Sequence, residues 1–75
     1  MPPLPVISGA TCVTALRKVG YMLLRQRGSH MRLVCRGRPS VTVPLHPVLD
    51  RGTLRSIIRT SKLTVEEFLE LVSDR

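Results

Sequence analysis

A chain of 75 residues has room for one domain with a small core, because a chain this short buries only about 60% of its unfolded surface, and large cofactor-binding folds are excluded. Twelve Lys and Arg against five Asp and Glu give a net charge of +7, which points to a polyanionic partner: nucleic acid first, then an anionic membrane or an acidic protein. Two cysteines without a metal-binding spacing are too few for a disulfide-stapled secreted scaffold, and Tyr21 and Phe68 as the only aromatic side chains argue against a base-stacking platform.

Residues Met1 to Val6 are proline-rich and expected to be extended. Pro2, Pro3 and Pro5 also interrupt any apolar run, so neither a signal peptide nor a membrane span is expected, and a reducing cytoplasm is the expected compartment. Ser8 reads as an N-cap for a helix over Gly9 to Val19, with Cys12, Leu16 and Val19 at helical spacing and Gly20 as its stop. Cys12 and Cys35 read as buried thiols acting as small apolar side chains.

Three short runs follow, Tyr21 to Arg27, His30 to Arg36 and Ser40 to Pro44, separated by Gly28-Ser29 and Gly37-Arg38-Pro39. They predict an antiparallel three-strand meander. In the second run a period of two sets Met31, Leu33 and Cys35 on one face and His30, Arg32, Val34 and Arg36 on the other. Val41 and Val43 join the buried face. In the first run either Tyr21 and Leu23 or Met22 and Leu24 could point inward; the former pair is favoured.

Leu45 to Leu49 is a proline-flanked loop carrying His46. Asp50 can then cap a helix with Leu54, Ile57 and Ile58 inside and Arg51, Arg55 and Arg59 as a basic outer stripe. Thr64 and Glu67 have the spacing of a capping box for a last helix with Val65, Phe68, Leu69 and Val72 as its apolar stripe. The order is therefore helix, three strands, helix, helix: a single α+β domain over residues 1–75, with helices on one sheet face and the other face open.

That open face is basic. Residues 1–49 carry Arg17, Lys18, Arg25, Arg27, Arg32, Arg36 and Arg38 and no acid, while from Asp50 onward the charges cancel. His30 sits at a predicted hairpin bend beside Gly28 and Ser29, on the face of the arginines. An imidazole exchanges protons near neutral pH, and guanidinium groups can hold a phosphodiester beside it.

Several segments, in this order and spacing, resemble the HicA toxin family: Val6-Ile7-Ser8-Gly9, Arg25-Gln26 with Gly28-Ser29-His30, Val41-Thr42-Val43-Pro44 with His46, Gly52-Thr53-Leu54-Arg55-Ser56-Ile57, and Leu63-Thr64-Val65-Glu66-Glu67-Phe68. The resemblance spans nearly the whole chain. It implies a fold similar to the double-stranded-RNA-binding domain, an mRNA-cleaving toxin that blocks translation, and a HicB-type antitoxin that masks the active site. The family's catalytic histidine falls on His30. Lys62 stands where the family often has glycine, and Ala10-Thr11 where a charged pair is common.

RNA carries its own nucleophile, the 2′-hydroxyl, so cleavage needs no metal and no cofactor is expected. One histidine acting as general base or general acid supplies a factor of roughly 10²–10⁴, and arginines stabilise the phosphorane. Arg25, Arg27, Gly28, Ser29 and Arg32 are the expected RNA contacts, and His46 is a candidate for a second acid–base role. A non-catalytic RNA-binding module and a protein that docks an acidic partner are the alternatives, and only the nuclease requires His30.

Overall fold

The computed structural model describes residues 3–73; residues 1–2 of the expected extended segment lie outside them. Pro3 to Ser8 form no helix or strand. Ser8 caps the first helix as expected, its side-chain oxygen accepting the Thr11 N–H at 3.1 Å, and α1 runs Gly9–Arg17. It stops short of Val19 because the N–H groups of Lys18, Val19 and Gly20 bond to carbonyls three residues back, on Ala15, Leu16 and Arg17, which tightens the last turn.

The strands β1 (Met22–Arg27), β2 (His30–Cys35) and β3 (Arg38–Pro44) form an antiparallel sheet in the order β1-β2-β3. The third strand begins at Arg38 rather than at the expected Ser40. Arg38 pairs with Cys35, and its guanidinium donates to the Ser61 carbonyl at 2.8 Å. Pro39 is tolerated there because β3 is an edge strand and one side of its backbone needs no partner.

Helix α2 spans Arg51–Thr60, with Asp50 at the N-cap position although its side chain makes no capping bond. Beyond α2, Leu63 N–H bonds to the Ile58 carbonyl at 3.2 Å and Lys62 N–H to that of Arg59 at 3.1 Å, the paired bonds of a Schellman motif. Lys62 carries its left-handed residue, with φ of 65°. Helix α3 spans Val65–Ser73. Its capping box closes both ways: Glu67 N–H donates to the Thr64 hydroxyl at 3.0 Å and Thr64 N–H to the Glu67 carboxylate at 2.8 Å. These bonds, the backbone one foremost, hold the Glu67 carboxyl below its ordinary pKa.

The core joins Cys12, Val13, Ala15 and Leu16 of α1, Leu33, Val41 and Val43 of the sheet, Leu54, Ile57 and Ile58 of α2, and Phe68 of α3. The faces of β2, and of β3 from Ser40 onward, are thus as the alternation predicts, but a register shift pairs Arg38 with Cys35 and turns its guanidinium inward to the Ser61 carbonyl. Helices α1 and α2 lie against β3, whereas α3 packs on α1 rather than on the sheet. That leaves Val65, Leu69 and Val72 half-buried.

The favoured inward pair of the first run, Tyr21 and Leu23, is met only in part. Tyr21 is buried, with its hydroxyl donating to the Pro39 carbonyl at 2.7 Å. Leu23 pairs with Leu33 and so faces the helices, yet it stays 49% exposed, because β1 is the edge farthest from β3 and its helical cover. Met22 and Leu24 are 68% and 59% exposed. Both cysteines are free thiols; Cys12 is buried, but Cys35 is only half-buried.

Candidate active site

A single extra residue in β1 decides which side chains share the open face with His30. Met22 pairs with Val34 and Leu23 with Leu33, but the next partners are Arg25 with Arg32, leaving Leu24 as a bulge. Without it, strict alternation from the inward Leu23 would turn Arg25 and Arg27 toward the helices. With it, Arg25 lies opposite Arg32 and Arg27 opposite His30 on the open face, and Gln26 takes the other side opposite Met31.

The bend between β1 and β2 is Gly28-Ser29. Gly28 has φ of +55°, which a residue with a side chain adopts at a cost. The Gln26 amide donates to the Gly28 carbonyl at 3.0 Å. From the far side, Leu45 N–H donates to the Ser29 carbonyl at 2.6 Å. The loop supplying that bond is itself anchored, because Gly9 N–H at the start of α1 donates to the His46 carbonyl at 2.9 Å.

The arrangement forms a shallow depression of about 170 Å³ lined by Arg25, Arg27, His30, Arg32 and Thr42. Arg32 is held in place, one guanidinium nitrogen donating to Thr42 Oγ1 at 2.9 Å and the other to Ser40 Oγ at 2.8 Å. Two guanidinium groups on directly opposed residues, Arg25 and Arg32, repel each other. An anion between them removes that cost and gains charge-assisted hydrogen bonds. The depression therefore sets three guanidinium groups beside one imidazole.

Of the residues singled out from sequence, Arg25, Arg27, His30 and Arg32 come together, and Gly28 and Ser29 form the bend beside them without lining the depression. His46 is exposed in the loop after β3, contributes its backbone carbonyl to the Gly9 contact, and is not among the lining residues. Sequence reasoning missed Thr42 and Ser40. Their signal was present in the alternation of β3, which sets both hydroxyls opposite the buried Val41 and Val43.

Among the described residues, no group of three His, Cys, Asp or Glu is placed to hold a metal ion, and no helix is long and apolar enough to cross a membrane. No curated protein matches the chain. The family model described as the HicA toxin of bacterial toxin–antitoxin systems matches residues 9–63. Because that match covers most of the chain, including every residue lining the depression, the chain belongs to the HicA toxin family.

Proposed function

We propose that this toxin is a metal-independent endoribonuclease that cleaves mRNA in the cytoplasm, blocks translation, and is neutralised by a HicB-type antitoxin. The observation carrying this reading is the convergence of His30 with Arg25, Arg27 and Arg32 around one depression. In the reaction the 2′-oxygen of a ribose attacks the adjacent phosphorus, the new P–O2′ bond forms, and the P–O5′ bond breaks. One proton leaves the 2′-hydroxyl and one arrives at the departing 5′-oxygen. His30 carries one of these two transfers.

The arginines offset the charge that grows on the phosphorane oxygens. Arg32 has a specific advantage in this role, since its clamp by Thr42 and Ser40 fixes the guanidinium before substrate arrives. Gly28 and Ser29 contribute a bend without bulk, which lets a phosphate approach the backbone closely. The exposed hydroxyls and cations offer the backbone contacts of RNA more than a means of reading bases.

The test is incubation of purified protein with mRNA in EDTA, comparing the parent with His30→Ala. Cleavage by the parent and none by the variant, at an unchanged thermal transition, supports the nuclease. Equal cutting by the variant removes His30 from the mechanism, and binding without cutting by either protein favours the non-catalytic RNA-binding module.

A further inference from the structure

The outer edge of the sheet carries a feature that RNA cleavage does not use. Every residue of β1 is exposed, and Met22, Leu23 and Leu24 present three consecutive large aliphatic side chains to solvent. The strand is also an edge, so among the described residues the backbone groups facing away from β2 are bonded by no neighbouring strand. An exposed six-residue edge whose first half is apolar is a template for pairing with another chain.

We propose that the free edge of β1 receives an extended strand of the antitoxin, rich in alternating apolar and acidic residues, which extends the sheet and covers Arg25 and Arg27. The choice of partner class rests on the toxin–antitoxin assignment; the nuclease step is not needed for it.

Three properties select this occupant. First, the edge offers alternate N–H and C=O groups, a ladder that a protein strand completes and a nucleic acid does not. Second, aliphatic side chains give bases nothing to stack on, whereas they give a protein strand apolar area to bury. Third, the second half of the strand is Arg25-Gln26-Arg27, within a 49-residue stretch that holds seven cations and no acid. A second copy pairing antiparallel over the whole strand would set Arg25 and Arg27 opposite the other copy's Leu24 and Met22, so apolar side chains would meet cations and none of the cations would gain an acidic partner. An acidic strand meets them with complementary charge.

The geometry also supplies a route to inhibition. Arg25 and Arg27 belong both to the edge strand and to the lining of the His30 depression. A strand whose carboxylates engage them competes with a phosphate for the same two guanidinium groups. Inhibition then follows without contact to His30 itself.

The experiment is hydrogen–deuterium exchange on the full chain, free and bound to its co-expressed antitoxin. Alternate amides of β1 are expected to slow by more than about tenfold in the complex. The double variant Met22→Glu, Leu24→Glu is expected to weaken the complex by more than about tenfold, with the thermal transition of the free chain unchanged because both side chains are exposed. Arg55→Glu on α2 serves as the control and should leave the affinity unaltered.

Unchanged exchange across β1 on complex formation overturns the proposal. So does protection of β1 in the free chain that rises with its concentration, which assigns the edge to a second copy. Equal protection of β1 by an RNA oligonucleotide alone assigns it to RNA and also overturns the proposal. Failure of the parent to cut mRNA affects none of these readouts, so the two readings fail separately.

Discussion

Leu45 donates its backbone N–H to the Ser29 carbonyl at 2.6 Å, tying the bend that carries His30 to the chain leaving β3. The tie rests on Gly9. A Cβ at this position would meet the Pro44 carbonyl oxygen and come within 2.9 Å of the Leu45 Cα, both backbone atoms that cannot swing aside. The first residue of α1 is thus packed directly under the loop that steadies the candidate site.

Gly9→Ala tests that relationship, because two effects of opposite sign compete. Alanine is favoured over glycine in helices by roughly 0.5–1 kcal/mol. Overpacking against fixed backbone costs about 1–3 kcal/mol, so the clash wins. The expected result is a fall in melting temperature of roughly 5 °C or more. RNA cleavage should fall by a larger factor than the folded fraction does, since the displaced loop moves the Ser29 carbonyl's partner. A variant as stable and active as the parent would show that the loop does not support the bend.

The clamp on Arg32 leads to a second expectation. Replacing Ser40 by Ala and Thr42 by Val removes both hydroxyl acceptors while leaving the guanidinium in place. Arg32 is exposed, so stability should change by less than about 0.5 kcal/mol. Catalytic efficiency should fall between about 3- and 30-fold, because a mobile guanidinium is less well aligned with the phosphorane. Arg32→Ala should cost more than the double substitution. A larger loss from the double substitution than from Arg32→Ala would mean that the hydroxyls act on the substrate rather than through Arg32.

Much of this architecture is legible from residue patterns alone. Ser8, the Thr64 and Glu67 pair, and the alternation of Met31, Leu33, Val41 and Val43 each carry a local signal that the packing respects. The bulge at Leu24 carried none, because nothing in Met22-Leu23-Leu24 marks which residue will be left over when the strand pairs with β2. That one residue places Arg25 and Arg27 beside His30. Likewise, the exposure of β1 depends on where the helices dock, a long-range matter that strand periodicity does not encode. The clamp on Arg32 needed the register of β2 against β3, which sets Thr42 directly opposite.

Lys62 offers a stability test independent of the site. Its φ of 65° is the left-handed conformation, costing roughly 1–2 kcal/mol for a residue with a side chain. Glycine removes that strain and returns part of the gain as unfolded-state entropy. Lys62→Gly should therefore stabilise the fold by about 0.5–1 kcal/mol in chemical denaturation. Lys62→Ala keeps the strain and should give no comparable gain. An equal gain from alanine would assign the effect to loss of charge in a basic chain instead.

Alkaline stability should be governed by two buried groups. Burial pushes the Cys12 thiol up to about 12, and burial, reinforced by nearby Cys35, raises the Tyr21 hydroxyl as well, against a smaller lowering by Arg38. In the unfolded chain both groups ionise near their ordinary values, about 8.5 for the thiol and about 10 for the hydroxyl. Their folded forms stay neutral to higher pH. Their contribution is complete below those ordinary values and declines as pH rises toward 12. Denaturant midpoints measured from pH 7 upward should thus fall above pH ~9, and Cys12→Ala should flatten the first part of the decline while lowering stability at neutral pH through the cavity it leaves. Maleimide labelling under native conditions should modify half-buried Cys35 and spare Cys12 until denaturant is added. Rapid native labelling of both thiols would mean that the space between α1 and the sheet opens far more often than its packing implies.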